Sequence, residues 1–500
     1  MLLRVAFTYG EGDPHLADAL SWAAHRPDDE RLHLVHHADV RAGIFAALRS
    51  RPRPGTRTTW PTTSRPRRRC CAHWPMSHRA RRRIRRRGGG RPAGLRRGHH
   101  RRPPGSGLPA RLPIDRGRPP RGPHVTEDAT MTATAEHAPA MTIGGVAEEA
   151  AAVLPVDNPA TGAPPGAAPV CSGRQLDRAM DAALAAAGGW AADDEARRAA
   201  LLAAAKEVSR AASRLGALVT AEQGKPAAMA IAEAYGAAGA LRYHAGLDLG
   251  AELLRDDRRG HVELARRPLG VVAAITPWNF PVAIAAAKLA PALRAGNTVV
   301  LKPSPYAPLA VLELGRLLAP LFPPGVVNVV SGGDDLGAAM VAHPVPAHVS
   351  FTGSVAAGRR VAASAGAGLK RVTLELGGND PAILLDDADP DAIAEKLFWE
   401  AFANSGQACM LVKRLYVPAS RHGRVVDALA DRARATRVGD GAVKGTELGP
   451  LTTAQLRRVT ALVEAATAGA RVAAGGAPLP GPGRFYAPPC SPAPPTTWRS

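Results

Sequence analysis

Past residue 268 the apolar positions fall into short runs separated by helical stretches. VVAAIT (271–276) reads as a buried strand, and TVVLKP (298–303), VVNVVSG (326–332), HVSFTG (348–353) and RVTLELGG (371–378) continue the series of strands. Residues 281–295 form an apolar helix with Gly296 as its stop, and PLAVLELGRLLAPLF (308–322) is the next helix. Strands alternating with helices predict an α/β fold with a mostly parallel sheet. Before residue 268 the periodicity is helical. QLDRAMDAALAAAGGWAA (175–192) and ARRAALLAAAKEVSRAASRLGALVTAEQG (196–224) are Ala-rich and amphipathic.

The two ends differ from this body. Residues 1–50 contain helical spacing in LADALSWAAHR and RAGIFAALR, so a short helical segment is expected there. Residues 51–130 form an Arg/Pro-rich region that cannot bury enough apolar surface to offset its ordering entropy, and it is expected to be largely disordered. Residues 485–500, from FYAPPCSPAPP onward, lose all periodicity and read as an irregular tail.

Charge changes the picture only locally. The chain of 500 residues has a formal net charge of +21, yet residues 51–124 alone carry 23 Arg, no Lys and one acid, Asp115. The rest is close to neutral. The basic stretch is a nucleic-acid-binding tail, a solvated linker, or GC-rich sequence read in a wrong frame; Met131 and Met141 are plausible original starts. Five Cys, none with metal-ligand spacing, make neither a disulfide framework nor a metal site, and a reducing cytoplasm is the default. No secretory signal stands at the N-terminus, and no apolar stretch of 18 or more residues exists to span a bilayer.

Four local signals carry candidate chemistry: TPWNFPV (276–282), FTGSVAAG (351–358), LELGG (374–378) and NSGQAC (404–409). FTGSVAAG stands between a strand and a helix. Gly353 and Gly358 would let backbone approach a phosphate, with Ser354 at a helix N-terminus; from the residues alone a plain strand-to-helix turn is the favoured alternative. It is not the G-x-G-x-x-G dinucleotide fingerprint. Cys409 is a nucleophile or a buried small hydrophobe. Glu375 is a poised carboxylate at a strand end or a paired one. Asn279 is an oxyanion donor or the cap of the following helix.

In this order, together with VDNPATG from Val156, EQGKP (222–226), RPLGVVAAITPWNFPVAIAAAKLAPALRAGNTVVLKPS (267–304), LELGGNDPAI (374–383) and FANSGQACMLVKRLYV (402–417), the blocks resemble the NAD(P)-dependent aldehyde dehydrogenase superfamily. The resemblance runs from about Val156 to about Tyr486. It implies a Rossmann-like parallel-sheet cofactor domain over 131–373 and an incomplete α/β catalytic domain over 374–484. It implies oxidation of an aldehyde to a carboxylic acid with NAD or NADP. Cys409 would be the nucleophile, passing through a thiohemiacetal and a thioester. Asn279 and the Cys409 backbone N–H would stabilise the oxyanion, and Glu375 would be the general base. Trp278, Lys302, Ser304, Gly353, Ser354 and Gly358 would face the cofactor, with Pro277 lining the cleft and Lys288 near the active site. The resemblance implies a small-molecule aldehyde as partner, with neither a membrane nor a nucleic acid expected, and a homo-oligomer that is usual in the family but not expected here.

Two departures from the family stand out. Pro305 replaces a Glu that often binds ribose hydroxyls, so NAD and NADP both remain open. No Glu-x-Phe-Gly-Pro segment occurs in 485–500. On this reading about a quarter of a family chain is missing, including a strand that pairs across subunits in dimers and tetramers, and activity is expected to be low. The alternatives are an inactive pseudoenzyme that binds dinucleotide, or a basic nucleic-acid-binding protein acting through 51–124.

Overall fold

The computed structural model describes residues 3–5, 8–9, 138–467 and 471–492. The helical spacing expected within 1–50 and the Arg/Pro-rich region 51–130 lie outside these residues. Inside 1–50 the described elements are two strands, β1 (Leu3–Val5) and β2 (Thr8–Tyr9).

The body begins with two hairpins, β3 (Met141–Ile143) with β4 (Val146–Glu148), and β5 (Val153–Val156) with β6 (Gly166–Pro169). Four helices follow: α1 (Gly173–Ala192), α2 (Asp194–Arg210), α3 (Ala212–Gln223) and α4 (Ala227–Ala245). Ser172 opens α1 with a full capping box to Gln175, and Asp193 caps α2 through Ala196 N. The periodic stretch 196–224, read from sequence as unbroken, is two helices. The chain turns at Ala211 (φ −88°, ψ 8°), whose N–H still bonds Glu207 O and Ser209 O. Almost no hydrogen bonding is lost there, so no Gly or Pro is needed to mark the break.

After the exposed hairpin β7 (Glu252–Asp257) and β8 (Gly260–Leu264) comes the alternating part. Its elements are β9 (Val271–Ile275), α5 (Pro281–Arg294), β10 (Thr298–Lys302), α6 (Leu309–Leu318), β11 (Val327–Val329), α7 (Asp334–Ala342), β12 (His348–Thr352), α8 (Val355–Ala367) and β13 (Arg371–Glu375). These strands and the first hairpin make one sheet in the order β13-β12-β9-β10-β11-β3-β4, parallel from β13 to β11. Every residue of β9 and β10 is buried. Helices cover both faces of a parallel sheet, which is why these runs are apolar throughout rather than alternating.

The chain then leaves this sheet between Glu375 and Asp380. The second sheet is built from β14 (Asp380–Ile383), α9 (Pro390–Phe402), β15 (Val412–Pro418), α10 (His422–Ala435), α11 (Thr453–Thr467) and β16 (Cys490–Pro492). Its strand order is β14-β15-β1-β16, all parallel, with β2 also on β15. β16 falls in the stretch 485–500 expected to be irregular. There Cys490 and Tyr486 are buried, and Ala474 and Cys490 form a bridge. Tertiary packing supplies an order that the Pro-rich local sequence does not announce.

Candidate active site

The candidate residues sit at the carboxyl ends of the first sheet's strands and on the loop before β15. Asn279 lies between the end of β9 and the first turn of α5, where Pro281 sets the helical φ. Its side-chain Nδ2 donates to Gln407 O at 2.8 Å. Its carbonyl accepts from Lys225 Nζ at 2.8 Å and from Asn404 Nδ2 at 3.0 Å. The structure thus ties TPWNFPV to NSGQAC, 128 residues away in sequence.

The loop carrying Cys409 is strained. Asn404 and Ser405 hold left-handed backbone (φ 53° and 57°), a conformation costing about 1–2 kcal/mol per non-glycine residue. Interactions around the loop hold it in place. Ser405 Oγ donates to Gly449 O at 2.8 Å, and Gln407 Nε2 donates to Asn404 O at 3.1 Å. Among the described cysteines Cys409 alone is exposed, while Cys171 and Cys490 are buried and burial pushes both thiols up to about 11. Lys413 Nζ donates to Cys409 O at 2.7 Å, which sets a cation beside that residue. A Cβ on Gly378 would lie 3.5 Å from Cys409 O, so LELGG also abuts the loop.

Glu375 ends β13, paired in register with Thr352, and is exposed. Its charge acts on Lys288. Lys288 is a buried residue of α5, not a surface cation, and its Nζ donates to Ser350 Oγ at 2.9 Å. Burial pushes this ammonium down to about 8, and Glu375 opposes that shift.

Lys302 closes β10. Burial pushes it down to about 8, against the charges of Asp334 and Asp335, and Nζ donates to Pro303 O at 3.2 Å. Ser304 is buried and its Oγ accepts from Tyr306 N. Ser354 is the N-cap of α8, accepting from Ala357 N at 3.2 Å. Trp278 and Pro277 are half-buried. Thr276 Oγ1, at the end of β9, is buried without a partner. An ammonium with donors to spare and an orphaned hydroxyl at adjoining strand ends fit the hydroxyls of a dinucleotide. Gly358 also packs closely. A Cβ there would stand 2.6 Å from Leu376 Cδ2, so this glycine lets α8 lie close on the chain after β13.

Four residues without an assigned role in the sequence complete the surroundings. Glu222, Lys225, Glu233 and Asn404 are buried. Glu222 Oε1 and Oε2 accept from Ala310 N and Leu309 N, at the start of α6. Glu233 Oε1 accepts from Val282 N and Ala283 N, at the start of α5. The signal available in sequence was EQGKP, which contains Glu222 and Lys225.

Residues 146–491 match the aldehyde dehydrogenase family. The chain belongs to this family. A probable aldehyde dehydrogenase of a Pseudomonas species is 40% identical over 329 residues, covering 65% of this chain and 67% of that one. The NAD+ complex of aldehyde dehydrogenase from Bacillus cereus superposes with a TM-score of 0.68 at 33% identity, covering 71% of this chain and 74% of that one. An NADP-dependent enzyme of E. coli superposes equally (TM-score 0.68, 34% identity, 70% and 75% covered). Aldehyde dehydrogenases oxidise aldehydes with NAD(P)+, and the chain is an NAD(P)-dependent member. Among the described residues no helix is long and apolar enough to cross a membrane.

Proposed function

We propose that Cys409 is the nucleophile of aldehyde oxidation, with Asn279 as oxyanion donor and Glu375 as general base. The observation that carries this reading is the hydrogen bond from Asn279 Nδ2 to Gln407 O, which holds the amide against the strained loop bearing the exposed thiol. The Cys409 thiolate adds to the aldehyde carbon and forms a thiohemiacetal. An amide NH2 has two donors. One is used on Gln407 O, and the other serves the new oxyanion together with the Cys409 backbone N–H. Bound NAD(P)+ supplies the hydride acceptor. Lys302, Ser304, Gly353, Ser354 and Trp278 are the residues that would hold it at the strand ends. The Glu375 carboxylate, whose charge acts on Lys288, activates the water that hydrolyses the thioester and releases the carboxylic acid.

The test is aldehyde-dependent formation of NAD(P)H by the purified chain. Cys409→Ala is expected to abolish it. Glu375→Gln is expected to leave a single burst of NAD(P)H per active site while steady turnover drops on the order of a hundredfold or more, the lower end of the range for general base catalysis. Full turnover by Cys409→Ala would refute the assignment of the nucleophile.

A further inference from the structure

Lys225 and Glu233 form an ion pair whose side chains are 0% and 1% exposed. Lys225 lies in the short connection from α3 to α4, and Glu233 lies on α4. Removing two charges from water is costly, and an apolar pair of similar volume is often as stabilising or more so. Net stability is therefore a weak reason for such a pair, and what its atoms touch is more informative.

All the polar contacts of the pair converge on one segment. Glu233 Oε2 binds Lys225 Nζ. Lys225 Nζ also donates to Asn279 O at 2.8 Å and stands 3.7 Å from the centre of the Phe280 ring. Glu233 Oε1 accepts from Val282 N at 2.9 Å and Ala283 N at 3.1 Å. The N-cap of α5 is Phe280, which has no side-chain acceptor for these first-turn donors. One buried pair thus grips residues 279, 280, 282 and 283. Asn404 Nδ2 takes the remaining side of the Asn279 carbonyl at 3.0 Å.

We propose that Lys225 and Glu233 are positioning residues that fix the Asn279 amide for the oxyanion. This rests on the reading of Asn279 given above. A misplacement of about 1 Å in such a donor costs on the order of a hundredfold in rate. The pair acts through the backbone of 279–283 and not by touching substrate.

The test is a double-mutant cycle on the full chain. Lys225→Met with Glu233→Gln removes both charges together, keeps an amide oxygen for the Val282 and Ala283 N–H donors, and leaves the Asn279 carbonyl paired with Asn404. In the parent, this change is expected to lower kcat at least tenfold, with KM for NAD(P)+ within twofold and a thermal midpoint within a few degrees. In an Asn279→Ala background the same change is expected to alter kcat less than twofold, because the donor it positions is gone. Equal fractional losses in both backgrounds would overturn the proposal, as would an unchanged kcat in a folded pair variant. If the pair variant does not fold, the same cycle runs with Glu233→Gln alone, which keeps an acceptor for the α5 donors and loses the charge. The same two outcomes decide it. An Asn279→Ala variant with parental kcat refutes the reading of Asn279 itself, which is a separate result from additivity.

Discussion

Replacing Glu222 probes how the first sheet's helices are anchored. Its side chain is wholly buried, with Oε2 accepting from Leu309 N at 2.6 Å and Oε1 from Ala310 N at 2.9 Å. These are first-turn donors of α6, whose N-cap, Pro308, offers no side-chain acceptor. Glu222→Ala leaves both donors buried and unpaired. At about 1–3 kcal/mol for each unsatisfied group, the loss is about 2–6 kcal/mol. Glu222→Gln keeps one acceptor, so its loss is about half that. The pH dependence is the sharper part. Burial pushes the carboxyl up to about 8 and the nearby Glu233 adds to the rise, while the two N–H bonds pull it down. Between 4.5 and about 8 the folded chain keeps a proton that the unfolded chain releases. Stability from this group is therefore complete at low pH and is lost as pH rises through that window, at up to ~1.4 kcal/mol per pH unit. Urea unfolding followed by circular dichroism at pH 5.5, 6.5 and 7.5 measures both effects. Every other titrating group is shared with Glu222→Gln, so the difference in slope isolates this one. Equal slopes in parent and Glu222→Gln would refute the raised carboxyl. A Glu222→Ala protein within ~0.5 kcal/mol of the parent, the range of neutral surface changes, would refute the anchoring role.

Two further predictions concern single positions. Gly325 has φ +85°, and a Cβ there would stand 2.2 Å from Ala182 O. Gly325→Ala should destabilise by about 2–5 kcal/mol, combining left-handed strain with overpacking. Gly188, inside α1 with nothing within 4 Å of its added Cβ, should gain about 0.5–1 kcal/mol as Gly188→Ala. Thermal melts of both compare the signs, and a loss at Gly188 or no loss at Gly325 contradicts the steric account. Lys302, pushed down to about 8 by burial, loses its charge as pH rises through that value, and Asp334 and Asp335 are the carboxylates acting on it. Dinucleotide affinity, read by quenching of tryptophan emission, should fall between pH 7 and 9 in the parent and stay flat in Lys302→Met. A flat parent curve would exclude Lys302 as a charged donor to the cofactor.

The fold was legible where local and tertiary demands coincide. VVAAI and TVVLK lie in the middle of a parallel sheet, buried on both faces, so their continuous apolar character follows directly from their place. Legibility failed where structure is set by partners distant in sequence. The bend at Ala211 costs almost no backbone hydrogen bonding and carries no Gly or Pro. β16 is a three-residue strand amid prolines, ordered by its bridge to Ala474 and its parallel pairing with β1. At Gly358 a glycine at the start of a helix has two uses, room for a phosphate and close packing, and the nearness of Leu376 is not announced by the local sequence.

The site divides in the same way, and the division has a physical reason. Cys409, Asn279 and Glu375 could be singled out as candidates because each stands in a short block that resembles the aldehyde dehydrogenase family, while their residue types alone left a structural role open. The groups that hold them obey no local rule. Lys225 reaches Asn279 across 54 residues, and Asn404 reaches it across 125. Neither spacing has a period, because neither contact lies within one element. What was visible was EQGKP as a block, without its purpose. The structure supplies a purpose for its two ionisable members. Glu222 holds the start of α6, and Lys225, through Glu233, holds the start of α5. Both helices follow strands whose carboxyl ends carry candidate groups, Asn279 after β9 and Lys302 at the end of β10. A short polar block at the end of α3 therefore constrains the two strand-to-helix turns of the first sheet that matter most to the chemistry. Replacing Lys225 and Glu233 as a balanced pair should therefore disturb turnover before it disturbs folding.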